Sequence, residues 1–149
     1  MSSTIVVPQG LSYTSAAVLS TAFVLVWQTR VVSKARSRAG IKYPQAYAEN
    51  AAVEASREAL IFNCAQRAHQ NTLETLPIVL ITTLITAVKY PLPAAAACAI
   101  WGFSRVFYTL GYITGEPKKR SRGFFGYIGI IGLAVGSIYT AGSLLMDGI

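Results

Sequence analysis

The sequence predicts an all-α integral membrane fold: one domain over residues 1–149, a bundle of four helices with both chain ends on the non-cytosolic side. Three observations lead there. Hydrophobic residues make up 53% of the chain and charged residues 13%, about half the charged share of a soluble domain, and mean hydropathy is +0.47. Four apolar runs approach the roughly 20 helical residues that cross a bilayer core. The basic residues, 13 Lys and Arg against 6 Asp and Glu for a net charge of +7, gather in two of the three connections. In so apolar a chain they read as flanks of membrane spans, so no nucleic-acid partner is expected.

The first span covers about 11–32 and carries no charge before Arg30; without a basic leader and small-residue cleavage site it reads as retained. Lys34, Arg36, Arg38, Lys42 and Arg57 follow. The second span, about 58–88, is continuously apolar only from Leu73, so its polar preface, Glu58 to Gln70, must enter or leave the membrane on the same helix. Pro77 should kink it or loosen its hydrogen-bond ladder. Pro91 and Pro93 turn a sharp corner into the third span, about 92–113. Lys118, Lys119, Arg120 and Arg122 precede the fourth, about 123–146, where Gly129, Gly132 and Gly136 read as helix-packing positions. The runs are too long and unbroken for the alternating strands of a barrel. The positive-inside rule puts both basic connections in the cytosol. Two cysteines and one histidine are too few for a zinc cage or a disulfide framework, and no metal site is expected. Cys64 and Cys98 read as packed thiols at opposite ends of the bundle.

Polar residues stand where lipid makes them expensive. On a helix, Arg67, Asn71 and Glu74 fall within about 60° of arc, and Asn63 and Gln70 extend that stripe. Arg105, Tyr108, Thr109 and Tyr112, spaced i, i+3, i+4, i+7, form a second stripe on the third span. Turned to lipid, either would cost several kcal/mol, so both must face a bundle interior or a wet cavity. Two such stripes at one depth can frame a pocket with two fixed cations and one fixed anion. That pattern complements a ligand bearing carboxylates and an ammonium group. A salt-bridge network that merely locks the helices is the plainer alternative, but it has little use for surplus cations.

The stretch Phe62-Asn63-Cys64-Ala65-Gln66-Arg67-Ala68-His69-Gln70-Asn71-Thr72-Leu73-Glu74, with Tyr112-Ile113-Thr114-Gly115-Glu116-Pro117-Lys118-Lys119-Arg120-Ser121-Arg122-Gly123, resembles the MAPEG family, the membrane-associated proteins in eicosanoid and glutathione metabolism. Val32–Arg36 and Tyr43-Pro44 extend the likeness. The resemblance implies a homotrimer with glutathione bound between adjacent subunits near the cytosolic face. It implies that Arg67, Asn71, Glu74, Arg105, Tyr108 and Tyr112 contact glutathione, with His69 where relatives carry a glutamine and Arg36 as a basic residue of the first loop near the same site. Arg120 resembles the arginine that activates the thiol. Two departures stand out. Thr75 replaces a tyrosine that some relatives place beside the glutamate, and the third loop is one residue longer than in the leukotriene-forming relatives, which makes Arg122 the second candidate for the thiol-activating role.

The chemistry so implied is glutathione transfer with lipid peroxidase capability. Glutathione would come from water, and an apolar lipid or xenobiotic co-substrate from the bilayer. Since the family includes a member that presents lipid to a partner enzyme, a non-catalytic scaffold or accessory subunit is the alternative. A small transporter fits less well, since no pair of broken half-helices is visible. The endoplasmic reticulum is the expected membrane, and the mitochondrial outer membrane satisfies the same physics.

Overall fold

The computed structural model describes residues 7–148; residues 1–6 and Ile149, and with them the expected side of the two chain ends, lie outside the described part. The elements run α1 (Leu11–Ala39), α2 (Asn50–Ala55), α3 (Arg57–Ala87), α4 (Pro91–Tyr112), a 3-10 segment (Pro117–Gly123) and α5 (Gly126–Met146). There is no strand among the described residues.

α1 does not stop where its apolar run does. It continues through Lys34, Arg36 and Arg38 and ends at Gly40, which takes a left-handed φ of +68°. The Gly40 N–H donates to Ser37 O and the Ile41 N–H to Arg36 O, each at 3.3 Å. Such a closure satisfies the last carbonyls and needs a residue at ease with positive φ. Charges do not end a helix; Gly40 does. The connection then carries the short α2 before Ser56, whose Oγ accepts the Ala59 N–H at 3.4 Å and caps α3. Glu58 stands in that first turn, where a carboxylate complements the helix dipole. α3 runs on through Pro77 without a break in the helix. α4 opens on Pro91, whose missing N–H would have had no partner in the first turn anyway.

α3 and α4 pack together, α1 covers them on one side, α5 on the other, and the 3-10 segment folds back on α4. Small residues let the backbones approach. A methyl group on Gly129 would lie 2.5 Å from Ala97 O, and one on Gly136 would lie 2.9 Å from Thr86 Cγ2. Gly132 has nothing nearer than Ala97 Cβ at 3.9 Å, so two of the three expected packing glycines make a tight contact. Trp101 fills the middle of the molecule with Val79, Cys98 and Leu133. Phe62 does the same nearer the basic connections, with Val32, Ala35 and Ala59. Both cysteines are free and buried.

The end remote from the basic connections is tied down. Lys89 Nζ donates to Asp147 Oδ2 at 2.5 Å and to Ser143 Oγ at 2.6 Å. Thr14 Oγ1 donates to Pro91 O at 2.8 Å. α1 and α5 are long and apolar enough to cross a membrane; α3 and α4 fall short of that measure because polar stripes interrupt them.

Candidate functional site

The two stripes meet. A cavity of about 400 Å³ is lined by Arg67 and Asn71 of α3, Arg105, Tyr108 and Tyr112 of α4, Arg120 of the 3-10 segment, Phe124 just after that segment, and Tyr127 at the start of α5. Arg105, only 4% exposed, is held on several sides. Its Nη1 donates to Asn71 Oδ1 at 3.1 Å, its Nη2 to Gly123 O at 3.4 Å and its Nε to Ser104 Oγ at 3.3 Å. The guanidinium also lies 4.7 Å from the centre of the Tyr108 ring. The two tyrosines meet edge to face, ring centres 5.6 Å apart. Arg120 Nη1 donates to Tyr112 Oη at 3.3 Å.

A glycine brings the 3-10 segment this close. A methyl group on Gly123 would sit 2.5 Å from Tyr108 Cβ and 2.7 Å from Ser104 O, so the chain crosses α4 there with no room for a side chain. That crossing delivers Arg120 to the tyrosines. Arg120 and Arg122 are both exposed, but Arg122 has its Cδ against Gly111 and does not line the cavity.

Glu74 is outside the lining but bound to it: its Oε1 accepts from Arg67 Nη1 at 2.8 Å, and both side chains remain nearly half exposed. An ion pair so wet is worth under about 1 kcal/mol, which leaves Arg67 open to exchange partners. Arg36 and His69 are placed elsewhere. Arg36 is buried, donates from Nη1 to Gln45 O at 2.6 Å and stacks on Tyr43 and Phe62; half-buried His69 does not line the cavity.

Asn63 and Gln70 do other work than their helical spacing suggests. Asn63 clasps the backbone of Ala48, accepting its N–H at 2.8 Å and donating to its carbonyl at 2.9 Å. Gln70 Oε1 accepts the Tyr47 hydroxyl. Together they pin the first loop onto α3. Burial raises the Tyr47 pKa, with the Arg67 charge pulling the other way. In the third loop a 2.5 Å hydrogen bond from Lys119 holds the Glu116 carboxyl below its usual range. That contact therefore stabilises the fold above the carboxyl's ordinary pKa and is lost as pH falls through the lowered one.

Sequence reasoning passed over Gln28. It is fully buried on α1, and its Nε2 donates to Thr72 Oγ1 at 2.9 Å and Thr109 Oγ1 at 2.8 Å, bridging α3 to α4 directly behind the cavity. A lone amide within an apolar span was the available signal. Phe124 and Tyr127 also line the cavity, and no periodicity or charge in the sequence singles them out.

A family model described as the MAPEG family matches residues 14–140. The chain belongs to the MAPEG family. The match takes in every residue of the cavity. MAPEG proteins include glutathione transferases and members of eicosanoid metabolism, some of them non-catalytic, and they generally use glutathione and assemble as trimers. MAPEG membership and the two apolar helices together mark an integral membrane protein.

Proposed function

We propose that this protein is a membrane glutathione transferase with glutathione-dependent lipid peroxidase activity, similar to microsomal glutathione S-transferase 3. The supporting observation is the cavity itself, in which three arginines, two tyrosines packed edge to face and an asparagine converge from α3, α4 and the 3-10 segment. In this reading Arg67 and Arg105 receive the two carboxylates of the tripeptide, Glu74 takes its ammonium group, and Asn71, Tyr108 and Tyr112 complete the hydrogen bonds. His69, half-buried outside the cavity, is then available to the site of a neighbour in a homotrimer, whereas buried Arg36 supports the first loop through Gln45 and Tyr43. The domain spans residues 1–149, all four long helices cross the membrane, and the basic connections face the cytosol. The endoplasmic reticulum and the mitochondrial outer membrane both suit such a protein.

Arg120 carries the chemistry. A thiol of pKa about 8.5 is only a few per cent ionised at neutral pH. Making it mostly thiolate at pH 7 takes a shift of about two units, or roughly 2.7 kcal/mol. A guanidinium at hydrogen-bond distance in a partly dehydrated site supplies stabilisation of that order and stays charged while doing so. The thiolate then forms a carbon–sulfur bond with an apolar electrophile, either opening an activated double bond whose electron pair takes up a proton or displacing a leaving group that departs with its electron pair. With a lipid hydroperoxide it attacks the distal oxygen instead. The O–O bond breaks, the departing alkoxide takes a proton to become the alcohol, and sulfur is left as the sulfenate.

Arg120→Ala should lower turnover on the order of tenfold or more while glutathione binding persists, read from steady-state kinetics beside isothermal titration. Unchanged turnover would remove Arg120 from this role. A wild-type protein that neither shifts glutathione-thiolate absorbance nor gains thermal stability with millimolar glutathione would point to the scaffold alternative.

A further inference from the structure

A second cavity, of about 340 Å³, lies on the other side of the molecule, where α1 meets the start of α3 and the end of α4. None of its lining residues belongs to the first cavity. Its floor is apolar, with Trp27, Ile61 and Leu110 among the lining residues, and its charged groups are Lys34, Arg38 and Glu58. Trp27, Lys34 and Arg38 follow one another at i, i+7 and i+11 on a single face of α1, so the apolar wall extends about 10 Å from Lys34 to Trp27. Lys34, Arg38 and Glu58 are exposed, and none of them forms a salt bridge among the described residues.

We propose that this groove is a binding site for a serine phospholipid of the surrounding leaflet. The charge count selects the headgroup. Two cations match its phosphate and its carboxylate, while Glu58 matches its ammonium. A choline phospholipid offers one accessible anion and a shielded quaternary ammonium, and a glycerol phospholipid has no cation for Glu58. A free fatty acid brings only one anion. The apolar wall takes the first part of an acyl chain, and basic pockets between membrane helices are known to hold anionic headgroups. The site uses no residue assigned to glutathione, so it stands or falls separately from the proposed activity.

Trp27 provides the probe, since the only other tryptophan, Trp101, is completely buried. The full-length protein is reconstituted in choline-phospholipid vesicles doped with serine, glycerol or choline phospholipids brominated on the acyl chain, and tryptophan fluorescence is read. The serine lipid should quench at a several-fold lower mole fraction than the other two. That preference should vanish in W27F and weaken several-fold in K34Q/R38Q, while E58Q brings the glycerol lipid level with the serine lipid. Folding of each variant is checked by circular dichroism, and the single variants K34Q and R38Q stand in for the pair if it fails to fold. Equal quenching by all three lipids, or an unchanged preference in the folded charge variants, would overturn the proposal. So would a glycerol lipid that matches the serine lipid in the wild type, or oleate displacing the serine lipid at equal mole fraction.

Discussion

Arg105 is the residue on which the cavity turns, because each of its three nitrogens has a partner fixed by a different part of the chain: Asn71 on α3, Ser104 on α4 and Gly123 at the end of the 3-10 segment. A lysine ammonium is a point charge on a flexible stem and cannot reproduce that fork. Arg105→Lys should therefore weaken glutathione binding about tenfold, a loss of about 1.4 kcal/mol, measurable by calorimetry on detergent-solubilised protein. This much was legible in advance, since a 3.6-residue period puts Arg67 with Asn71 and Arg105 with Tyr108 and Tyr112 whatever surrounds them. The same period misled at Asn63 and Gln70. Spacing says which way a side chain points but not who reaches it first, and the backbone of Ala48 and the hydroxyl of Tyr47 arrive from a loop whose path no periodicity describes. Gln28 was hidden for the opposite reason: its partners Thr72 and Thr109 are distant in sequence, and Thr109, read as part of the second stripe, accepts from Gln28 and does not line the cavity.

At the level of elements, backbone proximity decides what α5 tolerates. Gly129 has the carbonyl of Ala97 where its side chain would be, and a backbone group cannot swing aside, whereas Gly132 faces ordinary van der Waals space. Gly129→Ala should cost about 2 kcal/mol through forced separation of α4 and α5. Gly132→Ala should stay within about 0.5 kcal/mol, both read from denaturation midpoints in the same detergent. The long helices were readable because each buries or wets a continuous face. Their limits were less so: α1 outlasts its apolar run because lysine and arginine are good helix formers, and only the left-handed Gly40 stops it. The short α2 and the 3-10 segment span too few residues to display any hydrophobic period, and the latter is set by tertiary contact at Gly123 rather than by local preference.

For the molecule as a whole, occupancy of the cavity should feed back on stability, because its walls come from four separate elements that unfolding would scatter. Glutathione at ten times its dissociation constant should stabilise the wild type by about 1.4 kcal/mol, and Arg67→Ala should sharply reduce that gain at the same concentration; a gain of equal size in the variant would mean the tripeptide sits elsewhere. The opposite extremity bears on what kind of device this is. Lys89, cinched to Asp147 and Ser143, and Thr14, hooked to Pro91, draw the far rim of the four helices together. The outlying ends of the helices, where a bundle frays most easily, are thereby fastened by three side-chain hydrogen bonds. In the proposed glutathione enzyme this fastening would leave ligand exchange to the half of the bundle that carries Arg67, Arg105 and Arg120.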